Sequence, residues 1–141
     1  MKEAEMKKGI VVAVLAVLLL TQPVLACTWD PIVSKCHPAM GEVVVYKHGS
    51  CNGSEYFSFN GNNQMEYSSV VGYTWPGGGS LNDSISCYVI GHKTTFYYYQ
   101  HINYGGKSVK DENTASDRMK QKNLSGTWWN DSISSVKVFP K

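Results

Sequence analysis

The sequence contains one segment twice, first as Leu81-Asn82-Asp83-Ser84-Ile85-Ser86-Cys87 and again as Trp129-Asn130-Asp131-Ser132-Ile133-Ser134-Ser135. A segment that repeats within one chain indicates that the chain is built from copies of one structural unit. Upstream of each copy an aromatic residue leads into a glycine-bearing hairpin, in residues 46–53 and again in residues 99–106. The first copy is longer, because a glycine-rich insertion at residues 75–80 precedes its acidic loop.

Short apolar and aromatic runs alternate with turn-forming clusters from Glu42 onward. Residues 43–46, 87–90 and 96–99 are such runs, and clusters of Gly, Asn and Ser separate them. This texture predicts an all-β sandwich or barrel. Each copy of the repeat supplies four strands, so a single domain needs both copies. Only residues 117–124 have helical character, and we expect one or two helical turns there.

The second copy of the repeat carries two family signatures. Residues 99–106 resemble the first hairpin of a βγ-crystallin Greek key, which has an aromatic residue, four residues, a second aromatic, one residue and glycine. Residues 130–135 match in full that family's calcium signature of two Asn/Asp, two variable residues, Ser/Thr and Ser. The first copy diverges, since Cys51 stands in place of the second hairpin aromatic and Cys87 in place of the last Ser.

The resemblance covers about residues 42–141 and implies a single βγ-crystallin-like domain. We expect two Greek-key motifs packed as a β-sandwich, the first at about residues 42–91 and the second at about residues 92–141. Residues 1–26 are predicted to be a signal peptide, and residues 27–41 an irregular N-terminal arm. One six-residue match would be weak support, because Asn, Asp and Ser are also good turn formers. Two matches, each following its own aromatic–glycine hairpin, support the expectation of a βγ-crystallin-like domain.

The resemblance also implies two Ca²⁺ sites that join the two copies. Asp83 would give a side-chain oxygen to a site whose other ligands come mainly from the second copy. Asp131 would do the same for a site whose other ligands come mainly from the first copy. The carbonyl of the following Ser and the hydroxyl of the second Ser would add ligands, and the Asn would brace the loop. A hairpin carbonyl near Lys47 or Gln100 would complete each site. The predicted metal-site residues are Asn82, Asp83, Ser84, Ser86, Asn130, Asp131, Ser132 and Ser134.

Ligand charge sets the expected affinity of these sites. Calcium takes six to eight oxygen ligands, and each predicted site has about one carboxylate. We therefore expect binding that is micromolar or weaker, which suits calcium-rich extracellular fluid. Magnesium should compete poorly, because it demands a tighter octahedral geometry and gives up water reluctantly.

The first 26 residues have the layout of a secretory signal peptide. Residues 6–8 supply a basic start, residues 9–20 form an apolar run, and residues 24–26 offer small or aliphatic side chains for cleavage. The apolar run is shorter than the roughly 20 residues that a membrane span needs. A single anchoring helix is the alternative. Cleavage after Ala26 would make Cys27 the first residue, where it could carry a lipid anchor, although the residues before it fit a lipobox poorly.

Four cysteines follow the predicted cleavage site: Cys27, Cys36, Cys51 and Cys87. An even number in a small exported chain predicts two disulfides, with three pairings open. Proximity favours Cys27–Cys36 within the arm, which leaves Cys51–Cys87. A zinc site formed by Cys27, Cys36 and His37 is the alternative, but this spacing matches no closed tetrahedral pattern.

Charge and missing motifs narrow the remaining functions. Thirteen Lys and Arg stand against 11 Asp and Glu with no basic stripe, which argues against a nucleic-acid partner. No hydrolase, metalloprotease or phosphate-loop motif occurs, so we predict that the protein is not an enzyme.

Two other function classes stay open. A secreted toxin, antifungal protein or protease inhibitor on the same fold would use an exposed, disulfide-held loop. A cell-envelope glycan-binding module would use Trp75, which we expect to be exposed beside residues 77–79. The four histidines show no metal or catalytic spacing and are expected on surface turns: His37, His48, His92 and His101.

Overall fold

The computed structural model describes Cys27–Lys141, so the predicted signal peptide lies outside the described residues. A short 3₁₀ helix lies at Ile102–Tyr104, and within residues 27–141 no helix is long and apolar enough to cross a membrane. The described part of the chain contains ten strands: β1 (Cys27–Asp30), β2 (Lys35–Pro38), β3 (Glu42–Tyr46), β4 (Tyr56–Asn60), β5 (Glu66–Tyr67), β6 (Cys87–Ile90), β7 (Thr94–Tyr99), β8 (Ser108–Asn113), β9 (Lys120–Asn123) and β10 (Ser135–Pro140).

The two copies of the repeat exchange a strand, and the prediction of two Greek-key motifs in a β-sandwich is confirmed. The first copy provides β3 to β6 and the second β7 to β10. One four-stranded sheet has the order β4-β3-β6-β9, and the other has the order β5-β10-β7-β8. Each sheet therefore contains three strands of one copy and the third strand of the other. Neither copy can complete its sheet alone.

The prediction of helical turns at residues 117–124 is wrong. Residues Lys120–Asn123 form β9, which pairs antiparallel with β6 and places Lys122 opposite Tyr88. All four β9 residues are exposed, and Lys side chains on an edge strand discourage pairing with another chain. The free edge of β6 offers backbone hydrogen bonds that outweigh a weak local helix preference.

The main core lies between the two sheets. Phe59, Tyr88, Phe96 and Tyr98 are among its fully buried side chains. Tyr88 packs against Phe96 with ring centroids 5.1 Å apart in an edge-to-face arrangement. Edge-to-face pairs add to the energy gained by burying apolar surface.

A second, smaller core lies on the outer face of the β3–β6 sheet. The predicted irregular arm is instead the antiparallel β1–β2 hairpin, which is stapled by Cys27–Cys36. Cys36 and Tyr46 are fully buried in this second core, and the Cys36 amide donates to the Tyr46 hydroxyl at 2.8 Å. All five residues of β3 are buried because the hairpin covers the face that the main core does not reach. Because β3 is buried on both faces, its sequence is a continuous apolar run and does not alternate with polar residues.

Both favoured cysteine pairs are present, Cys27–Cys36 with Cα atoms 5.6 Å apart and Cys51–Cys87 with Cα atoms 5.2 Å apart. These distances lie in the normal range for disulfides. A sulfur in a disulfide cannot also carry a lipid or bind zinc as a thiolate. The pairing therefore removes the lipid anchor on Cys27 and the zinc site as alternatives. Two disulfides are typical of an oxidising, extracellular environment.

A polar group interrupts the inner side of the sandwich at Asp111. Its carboxylate accepts hydrogen bonds from the Tyr88 hydroxyl at 2.6 Å and the Lys120 ammonium at 2.5 Å. Burial by itself would raise the pKa of Asp111, but the hydrogen bonds from Lys120 and Tyr88 outweigh it and hold the pKa below its usual value. Ionised Asp111 therefore stabilises the folded state.

We expect acid to remove this stabilisation. Because the folded-state pKa is lowered, the contribution is present above the unfolded-state pKa of about 3.9 and is lost as pH falls through the folded value. Urea unfolding at pH values from 6 down to 2 should show a steeper acid loss of the unfolding free energy in the wild type than in Asp111→Asn. If the unfolding free energy falls equally with acid in the two proteins, Asp111 does not stabilise the folded state through its ionised form.

Candidate metal centres between the two repeats

The two acidic loops occupy equivalent places at the ends of the two motifs. We call residues 82–86 the first loop and residues 130–134 the second loop. Asp83 and Asp131 adopt left-handed backbone conformations with φ of 53° and 55°. Asn and Asp tolerate this region better than other non-glycine residues. Ile85 and Ile133 are fully buried in the main core and anchor each loop, whereas Asp83 and Asp131 are exposed.

Backbone hydrogen bonds join the two loops directly. The Asp83 amide donates to the Ile133 carbonyl at 3.2 Å, and the Asp131 amide donates to the Ile85 carbonyl at 3.2 Å. The two bonds are reciprocal, as expected for copies related by an approximate twofold axis. Each loop is therefore held against the loop of the other copy.

The side chains cross between the copies in the same way. The Ser134 hydroxyl donates to the Asp83 carboxylate at 3.2 Å. The Ser86 hydroxyl donates to the Asp131 carboxylate at 3.3 Å. Each carboxylate thus lies beside a serine of the opposite copy.

The two asparagines have matching contacts. The side-chain amide of Asn82 donates to the Asp83 carboxylate at 2.7 Å, and the side-chain amide of Asn130 donates to the Asp131 carboxylate at 2.7 Å. These bonds restrict the direction of each carboxylate. The Oδ1 atom of each asparagine is buried and has no hydrogen-bond partner within residues 27–141.

Four backbone carbonyls near the loops accept no hydrogen bond from any of the residues 27–141. The carbonyls of Tyr46 and Tyr99 accept hydrogen bonds from Ser86 and Ser134, each at 3.0 Å. By contrast, none of the hydrogen bonds in the described part of the chain ends on the carbonyls of four residues: Lys47, Ser84, Gln100 and Ser132. Carbonyl oxygens without a donor are available to a hard cation.

An open cleft of about 280 Å³ lies at the second loop. Its lining combines the predicted residues of that side with the hairpin of the second motif: Asp83, Gln100, His101, Asp131, Ser132 and Ser134. His101 is exposed, as expected, but its place beside the cleft was not predicted. The sequence could have indicated this place, because His101 directly follows Gln100, whose carbonyl was a candidate ligand.

The glycine-rich insertion contacts Ser84 of the first loop, and the prediction that Trp75 is exposed is wrong. Trp75 is 2% exposed, and its indole N–H donates to the Ser84 hydroxyl at 2.9 Å. The Gly78 amide donates to the Trp75 carbonyl, and the Trp75 amide donates to the Gly79 carbonyl. With φ of 93° and 91°, the two glycines make the tight turn that folds the indole back onto the core. The glycan-binding hypothesis loses the residue on which it depended.

The fold can be compared with solved structures. One βγ-crystallin domain, described in connection with the evolution of the eye-lens fold, is 25% identical with a TM-score of 0.59 and covers 74% of this chain and 91% of that chain. The chain has the βγ-crystallin fold.

Two further βγ-crystallin-fold proteins come from distant organisms. Spherulin 3A from Physarum polycephalum is 28% identical, with a TM-score of 0.51 over 74% of this chain and 88% of that one. A βγ-crystallin domain from Flavobacterium johnsoniae is 27% identical, with a TM-score of 0.51 over 70% of this chain and 94% of that one. No protein-family model and no curated protein matches the sequence. The similarity therefore concerns the three-dimensional fold.

Proposed function

We propose that this βγ-crystallin domain is an exported calcium-binding protein in which two Ca²⁺ ions bridge the Greek-key motifs and stabilise the fold. The observation that supports it best is the crossed arrangement of the loops. Each Asp carboxylate lies beside a Ser hydroxyl of the other copy, at 3.2 and 3.3 Å. An ion held by both groups would link two halves that already share their sheets.

The donor set suits calcium. The first site would use the Ser84 carbonyl, the Ser86 hydroxyl, the Asp131 carboxylate and the Lys47 carbonyl. All four are oxygen donors, which a hard divalent cation prefers. When bound, the ion would supply positive charge that attracts these four oxygens.

The second site would use the equivalent residues, Ser132, Ser134, Asp83 and Gln100. Four of the residues lining the open cleft are this set. Among residues 27–141, no three His, Cys, Asp or Glu side chains group in a metal-binding arrangement, so the sites depend on neutral oxygens. Such sites bind calcium modestly, and we expect micromolar or weaker affinity.

Calcium that binds only the folded state adds stability as RT ln(1 + [L]/Kd). Above saturation, ten times more calcium therefore adds about 1.4 kcal/mol per site. The melting temperature should rise with calcium and fall with a chelator. Export would deliver the protein to an environment where calcium is abundant and the two disulfides persist.

We expect Asp131→Ala to remove the first site and Asp83→Ala to remove the second. Titration calorimetry should show the wild type binding about two ions and each variant one, because each site has a single carboxylate. Asp117→Ala is the matched control, since Asp117 is exposed and lies outside both loops. Alanine at positive φ is strained, so melting in chelator must be recorded separately. No calcium heat and no calcium-dependent melting in the wild type would refute the proposal.

One observation favours a second candidate, a secreted inhibitor or toxin. Ile32 is 91% exposed at the turn of the β1–β2 hairpin, and the Cys27–Cys36 disulfide staples that hairpin. A rigid loop with an exposed apolar tip can fit the pocket of a target protein. Protease-inhibition and growth-inhibition assays with wild type and Ile32→Asp test it, and inactivity of the wild type in both would remove it. That the protein is not an enzyme stays a prediction.

A further inference from the structure

The disulfide Cys51–Cys87 occupies a position that has a counterpart in the second motif. The hairpins align with an offset of 53 residues, and the loops with an offset of 48. Cys51 is therefore equivalent to Tyr104, and Cys87 is equivalent to Ser135. The same pair of positions can be compared in two versions within one molecule.

In the second motif a serine hydroxyl connects these positions. The Tyr104 amide donates to the Ser135 hydroxyl at 3.1 Å, and that hydroxyl donates to the His101 carbonyl at 2.6 Å. Ser135 follows the second loop directly and is fully buried. Its hydroxyl thus holds the hairpin that carries the Gln100 carbonyl against the end of the loop.

In the first motif a covalent bond makes the same connection. Cys51 and Cys87 are both fully buried, and their Cα atoms lie 5.2 Å apart. The Cys51 amide donates to the His48 carbonyl at 3.2 Å instead of to a side chain. The hairpin that carries the Lys47 carbonyl is therefore tied to the end of the first loop without a hydroxyl.

We infer that Cys51 and Cys87 are positioning residues of the first calcium site, where their disulfide does the work of the Ser135 hydroxyl in the second. The inference rests on the proposed function. A hairpin that is tied before the ion arrives loses less conformational freedom on binding, which favours affinity. The change of the signature's last Ser to Cys87 is thus a substitution of one tether for another, and the first site remains able to bind.

The test isolates the first site with Asp83→Ala and compares two cysteine replacements that differ by one oxygen. Cys51→Ala with Cys87→Ala removes the tether. Cys51→Ala with Cys87→Ser replaces it by a hydroxyl at the position equivalent to Ser135. We expect calorimetry to show about tenfold weaker calcium binding without a tether, and recovery to within about threefold with the serine.

Two further measurements separate positioning from general damage. In chelator, the amides of residues 47–53 should exchange hydrogen faster in the alanine pair than in the serine pair, because local opening governs their exchange. Replacing Cys27 and Cys36 by Ala removes the other disulfide of the second core without cutting the link between the hairpin and the first loop, and should leave calcium affinity within about twofold. Circular dichroism confirms that each variant is folded.

The reciprocal variant covers the case in which the cysteine variants do not fold. Ser135→Ala, made with both disulfides intact, should weaken the second site several-fold in an Asp131→Ala background and leave the first site unchanged in an Asp83→Ala background. Equal calcium affinity in tethered and untethered proteins would overturn the inference while calcium binding itself stands. A wild type that binds no calcium would overturn the proposed function, and this inference with it.

Discussion

Trp75→Ala is expected to lower the free energy of unfolding by about 3–5 kcal/mol, the usual cost of truncating a buried Trp. Trp75 is 2% exposed and packs in the main core beneath the glycine-rich insertion. The variant would leave a cavity, and it would also remove the hydrogen bond from the indole to the Ser84 hydroxyl. Urea unfolding followed by circular dichroism measures the change.

Trp128→Ala is the matched control for this prediction. Trp128 is 49% exposed, and its ring contacts the Lys107 ammonium 4.6 Å from the ring centroid. The ring also packs edge to face on Trp129 with centroids 4.9 Å apart, so its removal should cost about 1 kcal/mol, well below the loss expected at Trp75. Similar losses in the two variants would contradict the burial of Trp75. A loss of calcium affinity in Trp75→Ala beyond its loss of stability would show that the indole also orients Ser84.

The second large effect is expected from the disulfides, and it should differ between them. The Cys51–Cys87 bond closes a separation of 36 residues, and the Cys27–Cys36 bond closes one of 9 residues. A disulfide restricts the unfolded chain more when it closes a longer loop. Losing Cys51–Cys87 should therefore lower the free energy of unfolding by about 4 kcal/mol, and losing Cys27–Cys36 by about 2.5 kcal/mol.

Paired Cys→Ala variants of each disulfide measure this difference in the same urea assay. Both pairs are buried, so the loss of sulfur volume is similar in the two variants. Measurements in chelator remove any contribution from calcium. A larger loss for the Cys27–Cys36 pair would show that the N-terminal hairpin contributes more through its packing on Val44, Tyr46 and Val89 than through the restriction of the unfolded chain.

The repeat made the fold predictable. Because the Asn-Asp-Ser-Ile-Ser segment occurs twice, each time after an aromatic–glycine hairpin, two equivalent four-stranded units could be assigned from the sequence. Ile85 and Ile133 stand between polar neighbours in the two copies, and both are buried in the main core. The favoured disulfide pairing followed from proximity alone, and it is the pairing that the structure has.

The wrong predictions share a cause. Trp75 lies beside flexible glycines, residues 117–124 have a weak helical preference, and residues 27–41 contain two prolines. Each local pattern was overridden by tertiary packing or pairing: Trp75 packs in the main core, β9 completes the edge of β6, and the arm folds as a hairpin on the outer face of the sheet. Local propensity is a weak prior where burial or strand pairing decides.

The amino-acid sequence was enough to name the oxygen-bearing residues of the two loops and to show that the loops are equivalent. Which of these groups lie next to each other depends on the folded chain. Ser86 and Asp131 are 45 residues apart, and Asp83 and Ser134 are 51 residues apart. These pairs come together because β5 and β9 each pair with the sheet of the other copy, which brings the two loops side by side. A repeat specifies which residues are alike, whereas strand pairing over long separations decides which of them become neighbours.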